Sequence, residues 1–339
     1  MFLIGENLNV MSKKLGEAFL NRDAGPIRKM AEAEAEAGMD MIDLNIGPAR
    51  KTGPDFMEWL VSVVQEATDL PLSLDTSNID AIEAGLKTAR TRPLINSISA
   101  RPERMEALMP MAKKYGAPFI GLTLSAEGIP RDANERGLCA AEILAAAAGH
   151  GIAEEDIWID PIVLPVNTQQ LQIQGCTEFV MMLPDLAPSS KSTCGLSNVS
   201  NGVPAQLRGI MNRTYLMMLK RYGMHSAIVD AFDNELRAIA RGEIPDLEAL
   251  VHRVMDGEEV DLSKLSKEEG DYVIMGEYIE DPGLGNIIIL YYGSFRDAMS
   301  NAPFEEWNEE IRETVIHELR HHIESLAGVD DLSAEEAAA

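Results

Sequence analysis

Residues 41–48 read MIDLNIGP, a short apolar run that carries an aspartate and an asparagine and ends in a Gly-Pro pair. Runs of about four to eight apolar or β-branched residues, bounded by turn-forming residues, are typical of buried β-strands. The same arrangement recurs along the chain, with longer segments of helical composition between the runs. The predicted strands are Phe2–Ile4, Met41–Ile46, Leu72–Leu74, Leu94–Ile98, Phe119–Leu124, Ile157–Ile159, Ser192–Leu196 and Ala227–Val229.

The segments between these runs have the composition of α-helices. Asp23–Gly38 is rich in Ala and Glu and ends in glycine, which favours a helix that stops there, and Asn78–Lys87 and Arg104–Tyr115 are similar. Alternation of strand and helix requires a parallel sheet, and eight repeats close into a TIM (β/α)8 barrel. A doubly wound open sheet is the alternative, but the G-x-G-x-x-G loop often found in that fold does not follow Phe2–Ile4. We therefore predict an α/β protein built on a (β/α)8 barrel.

The chain is longer than one barrel. Its 339 residues exceed the roughly 250 that a (β/α)8 barrel needs. After Val229 the pattern changes: Phe232–Arg241 and Asp246–Met255 are predicted helices that close the barrel, and a charged stretch follows. We predict a barrel domain over residues 1–270 and a small α/β extension over residues 271–339.

Charge and cysteine content narrow the classes of partner. The chain has 29 Lys and Arg against 55 Asp and Glu, a net charge of −26, which opposes non-specific binding to nucleic acid or to anionic lipid. Three widely spaced cysteines are expected to be reduced thiols. The N-terminus has no signal-peptide pattern, and no apolar run approaches membrane-spanning length. We expect a cytoplasmic protein with no nucleic-acid or membrane partner.

Polar side chains lie at the ends of most predicted strands. In a parallel barrel the active site forms at the carboxyl ends of the strands, so these side chains should meet. Carboxylates accept hydrogen bonds from the 2-amino group and ring N–H of a pterin, and asparagine amides suit its carbonyl oxygen and ring nitrogens. Capping of the following helices would explain any single residue, but not all of the strand ends together. The predicted site residues are Glu6, Asn7, Asp43, Asn45, Asp75, Asn96, Asp160, Asn198 and Asn201.

From Met1 to about Tyr272 the motifs resemble the methyltetrahydrofolate:corrinoid iron-sulfur protein methyltransferases, a family of pterin-binding methyltransferases. The resemblance rests on GENLN (5–9), DLNIGP (43–48), LDT (74–76), NS (96–97), DP (160–161) and GLSNVS (195–200).

The resemblance implies a barrel of the pterin-binding type, a homodimer that binds methyltetrahydrofolate or tetrahydrofolate through Asp75, Asn96 and Asp160. It places Asn198, the candidate catalytic residue, near N5, the atom that carries the methyl group. It also implies a partner, a corrinoid protein whose cobalt accepts the methyl group or donates it in the reverse direction. The sequence leaves that direction open.

Two alternatives accompany this interpretation of the barrel. Dihydropteroate synthases resemble the same barrel, but they need basic residues for a pyrophosphate leaving group, typically a Lys near the seventh strand and an Arg after the eighth. Here Ser197-Asn198 occupies the end of the seventh strand, and residues 225–230 contain no arginine. A non-catalytic pterin- or corrinoid-protein-binding module would share every ligand-binding residue with the methyltransferase.

The C-terminal extension carries a different motif. A strand is predicted at Asn286–Tyr292 and a helix at about Glu305–Ala327, and residues 317–321 read HELRH. On a helix, H-E-x-x-H places two imidazoles on one face, the arrangement of a zinc site. The predicted metal residues are His317, His321 and Glu324, with Glu318 as candidate general base. From about Ile274 to Leu332 the sequence resembles minimal zincin-type metallopeptidase-like proteins, which implies zinc and makes a zinc-dependent hydrolase the further alternative.

Overall fold

The computed structural model describes residues 1–12, 15–48, 52–258, 276–281, 285–290, 299 and 303–327. The chain divides into two compact units, Met1–Val260 and Asp261–Ala339. The predicted domain boundary at residue 270 lies outside the described residues and stays a prediction.

A parallel sheet of eight strands forms the centre of the larger unit, as described over residues 1–258. Neighbouring strands pair in the order β7-β6-β5-β4-β3-β2-β1-β8, and every pair is parallel. The strands are β1 (Phe2–Gly5), β2 (Met41–Asn45), β3 (Leu72–Asp75), β4 (Leu94–Ser99), β5 (Phe119–Leu122), β6 (Ile157–Asp160), β7 (Lys191–Ser192) and β8 (Ser226–Val229). All eight predicted strands are thereby confirmed.

Contacts between β7 and β8 close the sheet into a barrel. The amide of Ile228 donates to the carbonyl of Cys194 at 2.8 Å, and the Ser226 hydroxyl donates to the carbonyl of Ser192 at 3.0 Å. The seventh strand is shorter than predicted, because the chain turns into a 3-10 helix at Leu196–Ser200 instead of continuing the ladder. The predicted TIM (β/α)8 barrel is confirmed.

Helices follow each strand and surround the barrel. They are α1 (Gly16–Asn21), α2 (Ala24–Glu36), α3 (Gly53–Ala67), α4 (Ile79–Thr88), α5 (Pro102–Tyr115), α6 (Ala133–Gly149), α7 (Gln170–Leu186), α8 (Ala205–Arg221), α9 (Asn234–Arg241) and α10 (Pro245–Met255). In the described part of the barrel, the side chains that cap these helices are Asp23, Asn78, Asp132 and Asp233. None of them is a predicted site residue, so capping does not account for the polar strand ends.

Aromatic side chains fill the amino-terminal end of the barrel. The ring of Trp158 lies 5.4 Å from that of Phe2 and 5.3 Å from that of His225, centroid to centroid. The Lys191 ammonium lies 5.0 Å from the Trp158 ring centroid, within the range of a cation–π contact. This packed layer leaves the carboxyl end of the strands as the place for a site.

The three cysteines, Cys139, Cys176 and Cys194, are buried free thiols, in line with the expectation from their spacing. Among the described helices, none is long and apolar enough to cross a bilayer.

The smaller unit contains an antiparallel hairpin and a long helix. Strand β9 (Gly276–Asp281) pairs with β10 (Gly285–Leu290), and helix α11 spans Phe304–Ala327. The predicted strand and helix are confirmed within a few residues. Strand β9 was not predicted, because its sequence GEYIED has three acidic residues and only two apolar ones.

Substitution of two glycines in barrel helices tests how tightly the side chains between the strands and the helices are packed. A Cβ on Gly85 of α4 would lie 2.8 Å from Cδ1 of the fully buried Leu74 and 3.0 Å from Cγ of the fully buried Met57. We expect Gly85→Ala to lower the free energy of unfolding by about 1–2 kcal/mol, because overpacking costs ~1–3 kcal/mol and alanine returns up to ~1 kcal/mol in helix propensity. Urea denaturation followed by circular dichroism measures the change.

The matched control is Gly137→Ala in α6, where nothing lies within 4 Å of the added Cβ. Here only the gain in helix propensity remains, so stability should rise by up to ~1 kcal/mol. Equal effects of the two substitutions would contradict the packing between α4 and β3.

Candidate functional site

A cavity of about 270 Å³ opens at the carboxyl end of the barrel strands. Residues at or shortly after the ends of all eight strands line it. They are Glu6, Asn9, Asp43, Asn45, Asp75, Asn96, Leu122, Asp160, Ile162, Val163, Gly195, Ser197, Asn198 and Ile228. Seven of the nine predicted site residues are thus brought together, and their role as pterin ligands stays a prediction.

The other two predicted residues, Asn7 and Asn201, lie outside this cavity. The Asn7 amide donates to Oδ1 of Asp230 at 2.8 Å and accepts from the amide of Ala231 at 2.9 Å, which ties the end of β1 to the end of β8. Asn201 donates through Nδ2 to Oδ1 of Asn198 at 3.2 Å. Both side chains therefore position neighbours of the cavity.

A second cavity of about 730 Å³ adjoins the first. The two cavities share Glu6, Asn9 and Ser197 in their walls. The larger cavity is otherwise lined by Asn7, Met11, Ser12, Ala205, Arg208, Gly209, Asn212, Asp230, Asp233 and Leu236. A ligand longer than one bicyclic ring could therefore extend from the first cavity into the second.

Sequence reasoning missed part of the wall. Asn9 and Ser197 belong to the quoted strand-end motifs but were not predicted as site residues. Leu122, Ile162 and Ile228 form an apolar wall, and apolar residues near strand ends carry no signal that separates them from the core. The cavity therefore combines polar groups with apolar side chains, which is the character of a site for a heteroaromatic ring.

Two neighbouring carboxyl groups, Asp43 and Asp75, share one side of the cavity. Asp43 is only 3% exposed and accepts hydrogen bonds from Oγ of Ser73 at 2.6 Å and Nδ2 of Asn96 at 3.1 Å. Asp75 accepts from the amide of Asn45. Burial raises the pKa of both carboxyls, and the negative charge of Asp43 raises that of Asp75 further, well above its usual range. Burial and the neighbouring charge therefore both favour the protonated form of Asp75.

Asp160 ends β6 and is 8% exposed. Its Oδ1 accepts from the amide of Ile162 at 2.7 Å, and burial raises its pKa to about 6. Ile162 has a φ of 65°, in the left-handed region that costs a residue with a side chain about 1–2 kcal/mol. The turn at residues 160–162 is thus held by its surroundings. It determines the positions of the Asp160 carboxylate and of the Ile162 side chain in the cavity.

Glu6 lies between the two cavities. Its Oε1 accepts a hydrogen bond of 2.5 Å from the Ser197 hydroxyl, which joins the end of β1 to the 3-10 helix after β7. Burial raises the pKa of Glu6 to about 7, against the lowering effect of the Ser197 hydrogen bond. Glu6 can therefore gain or lose a proton near neutral pH.

Asn198 is exposed at the cavity mouth, in the 3-10 helix at Leu196–Ser200. Asn201 fixes its amide oxygen, and its Nδ2 lies near Gly195, where a Cβ would come within 3.1 Å of it. Among the described residues this nitrogen donates no hydrogen bond, so the Asn198 amide is available to a ligand.

The predicted metal residues lie on helix α11. His317 is half-buried, and the side chains of Glu318, His321 and Glu324 lie outside the described residues. No group of three or more His, Cys, Asp or Glu side chains that could hold a metal ion occurs among the residues that the structure describes. A zinc site is therefore not shown.

Comparisons with known proteins place the barrel in a family. Residues 5–230 match the family model of the pterin binding enzymes. The chain is 28% identical to the methylcorrinoid:tetrahydrofolate methyltransferase of Eubacterium limosum over 238 residues, which cover 70% of this chain and 87% of that protein. It is also 28% identical to the methionine synthase of Mycobacterium tuberculosis over 242 residues, 68% of this chain but only 20% of that larger protein.

Among solved structures, the dihydropteroate synthase of Yersinia pestis with a pterin-sulfa conjugate superposes with a TM-score of 0.52. The identity is 18%, with 76% of this chain and 94% of that chain covered, so this likeness concerns the fold alone. Residues 269–338 match the family model of the zincin-like metallopeptidases. Both resemblances drawn from the sequence motifs are confirmed, and over two thirds of its length this chain is a member of the pterin-binding enzyme family.

Proposed function

We propose that the barrel moves a methyl group between N5 of tetrahydrofolate and the cobalt of a corrinoid carried by a partner protein. The observation that carries this proposal is the composition of the smaller cavity: carboxylates and carboxamides from six strands, with no lysine, arginine, histidine or cysteine among its described lining residues. Such a set recognises a neutral ring with N–H donors, and it contains no thiol, amine or imidazole nucleophile. The similarity to a methylcorrinoid:tetrahydrofolate methyltransferase supports the same reaction class.

In this proposal the buried acids bind the donor edge of the pterin. Asp75 and Asp160 accept from the 2-amino group and ring N–H, and Asn96, anchored to Asp43, contacts the polar edge of the ring. The apolar wall covers the ring face. The rest of the folate extends into the adjoining cavity through the shared wall at Glu6, Asn9 and Ser197.

Asn198 acts on the reacting atom in this proposal. A tertiary amine is a poor leaving group, so N5 must gain positive charge or a hydrogen-bonded proton before the methyl group departs. The Asn198 amide, oriented by Asn201 at the cavity mouth, stabilises that state without itself titrating. The reduced cobalt of the corrinoid supplies the nucleophile that accepts the methyl group. The barrel contributes position and exclusion of water.

Electrostatics disfavour the dihydropteroate synthase alternative. That reaction releases pyrophosphate, which needs basic residues. The larger cavity has Arg208 as the only cation among its described lining residues, against the carboxyl groups of Glu6, Asp230 and Asp233. One arginine among three carboxyl groups does not supply the basic residues that a pyrophosphate leaving group needs.

A first prediction concerns Asn198. Wild-type protein should convert methyltetrahydrofolate and reduced cobalamin to methylcobalamin, and Asn198→Ala should lower kcat by about 10- to 100-fold with a smaller change in folate affinity, because the lost hydrogen bond acts mainly in the transition state. The absorbance change on methylcobalamin formation measures the rate, and fluorescence titration measures folate affinity.

Asn134→Ala, at an exposed asparagine on α6 that lines neither cavity, is the matched control and should leave both quantities unchanged. Absence of transfer by the wild type, also with candidate corrinoid proteins, would contradict the methyltransferase. Equal losses in rate and affinity would assign Asn198 to ground-state binding.

A second prediction follows from the raised pKa of Asp75. A bound pterin offers N–H donors to this carboxyl, which favours the ionised form and lowers its pKa. Binding of tetrahydrofolate at pH 7 should therefore release a proton from the protein. Isothermal titration calorimetry in two buffers with different ionisation enthalpies measures this release.

Asp75→Asn should abolish the release, and Asp69→Asn, at an exposed position before β3, should leave it unchanged. Binding heats that do not depend on the buffer would contradict the protonated state of Asp75.

We also propose that the C-terminal unit binds zinc through His317, His321 and Glu324, with Glu318 as a general base in a hydrolase of the zincin type. Two observations favour this second function. Residues 269–338 match the zincin-like metallopeptidase family model, and α11 is one continuous helix through the H-E-x-x-H motif, which places His317 and His321 one turn apart.

The corresponding prediction is a zinc content near one ion per chain in protein purified without a histidine tag. His317→Ala should lose most of this zinc, whereas His150→Ala, an exposed histidine at the end of α6, should retain it. Inductively coupled plasma mass spectrometry gives the stoichiometry. The same zinc content in His317→Ala and wild-type protein would dispose of the site.

A further inference from the structure

Helix α6 carries a fully buried arginine, Arg136, with 0% of its surface exposed. Buried arginines are usually paired with a carboxylate, because an unpaired buried charge is strongly destabilising. Within the part of the chain that the structure describes, Arg136 forms no ion pair. Its Nε donates to the carbonyl of Pro161 at 2.7 Å, one terminal nitrogen donates to the carbonyl of Asp132 at 3.1 Å, and the other donates to Oε1 of Gln172 at 2.8 Å.

The helix opposite leaves room for this guanidinium. A Cβ on Gly175 of α7 would lie 3.2 Å from a terminal nitrogen of Arg136 and 3.3 Å from Cα of Asp132. Gln172, one turn earlier on α7, supplies the side-chain oxygen that Arg136 binds. Helices α6 and α7 thus enclose the Arg136 side chain, and the absence of a side chain at Gly175 leaves space for its guanidinium.

The Pro161 carbonyl lies in the turn that follows Asp160. In this turn the Ile162 amide donates to Oδ1 of Asp160, and Ile162 adopts its left-handed backbone. A β-branched residue keeps that conformation only when the surrounding contacts hold it. The hydrogen bond from Arg136 to Pro161 is such a contact.

Arg136 also supplies charge. Burial raises the pKa of Asp160, and the positive charge of Arg136 opposes that rise. The other titratable groups that act on Asp160 or are acted on by it are the thiols of Cys176 on α7 and Cys194 beyond β7. Burial raises the pKa of both thiols, so they are neutral at neutral pH. Arg136 is therefore the cation of this buried region in the described structure.

We propose that Arg136 is a positioning residue for Asp160: it holds the turn at residues 160–162 that presents this carboxylate to the cavity, and it is the counter-charge of the carboxylate. The inference rests on the proposed binding of a reduced folate by the barrel. A guanidinium suits the task because its fork of donors reaches three oxygens in different directions, whereas a lysine keeps the charge without that geometry.

The test measures the dissociation constant of tetrahydrofolate as a function of pH. The ionised form of Asp160 binds the donor edge of the pterin, so affinity falls as pH drops through the pKa of Asp160. Arg136→Gln should weaken binding by about 10- to 100-fold at pH 7 and move the midpoint of this fall upward by about one pH unit. Arg136→Lys should keep the midpoint near the wild-type value but recover only part of the affinity.

Two further variants separate this role from general damage to the fold. In an Asp160→Asn background, Arg136→Gln should no longer move the pH midpoint, because the carboxyl through which it acts is gone. Gly175→Ala, which crowds the guanidinium and the backbone at Asp132, should weaken binding in the same direction by a smaller factor. Gly137→Ala, next to Arg136 on α6, is the control and should bind like the wild type.

The outcomes are distinguishable. Wild-type protein that binds no tetrahydrofolate at any pH would overturn the proposed function itself. Wild-type protein that binds, together with Arg136→Gln and Gly175→Ala variants that keep its affinity and midpoint, would overturn the role of Arg136 and leave the proposed function standing. If Arg136→Gln does not fold, Gly175→Ala and Arg136→Lys decide by the same criterion.

Discussion

The hydrogen bond from the Ile228 amide to the Cys194 carbonyl joins the eighth strand to the seventh, and the cavity depends on the ring that this contact completes. In an open sheet, Glu6 and Ser197 would lie on strands far apart, because β1 and β7 have no neighbour in common other than β8. In the closed barrel the Ser197 hydroxyl bonds Glu6 directly. Closure therefore brings polar strand ends that are 191 residues apart in sequence into the wall of one cavity.

Closure also removes these acids from water. Asp43, Asp75, Asp160 and Glu6 all have a raised pKa with burial as the main cause. Such a cavity reaches low energy either by taking up protons or by accepting N–H donors from a ligand. A ring with several N–H donors and no formal charge provides hydrogen bonds to these carboxyl groups without adding negative charge. The net charge of −26, which disfavours nucleic acid as a partner, also favours a ligand with N–H donors over an anionic one.

Sequence reasoning succeeded where the signal is local and failed where it depends on direction. A strand is a short apolar run, so all eight were found, and the polar residues after most of these runs were placed at the correct end of the barrel. Adjacent residues at a strand end point in different directions, and Glu6 faces the smaller cavity whereas Asn7 does not. The Asn7 side chain instead binds Asp230 and Ala231. The pattern along the chain does not reveal which of two neighbours turns inward.

The residues behind the cavity were not foreseen for a different reason. Arg104 on α5 donates to the carbonyls of Thr76, Ser77 and Ser97. Glu34 on α2 accepts from the amide of Asn7, and its other oxygen would lie 2.5 Å from a Cβ on Gly5. Arg136 binds the turn after Asp160 in the same manner.

These helix residues hold backbone groups, and a carbonyl or amide is the same whatever residue carries it. The segment whose backbone is held therefore need not contain any recognisable residue type. Side chains that face the ligand leave a motif at the strand ends, whereas side chains that support the strand ends leave only an isolated charge on an otherwise apolar helix face. Arg136 and Glu34 share this arrangement: each is a buried charged side chain on a helix, and a glycine, Gly175 or Gly5, makes room for it.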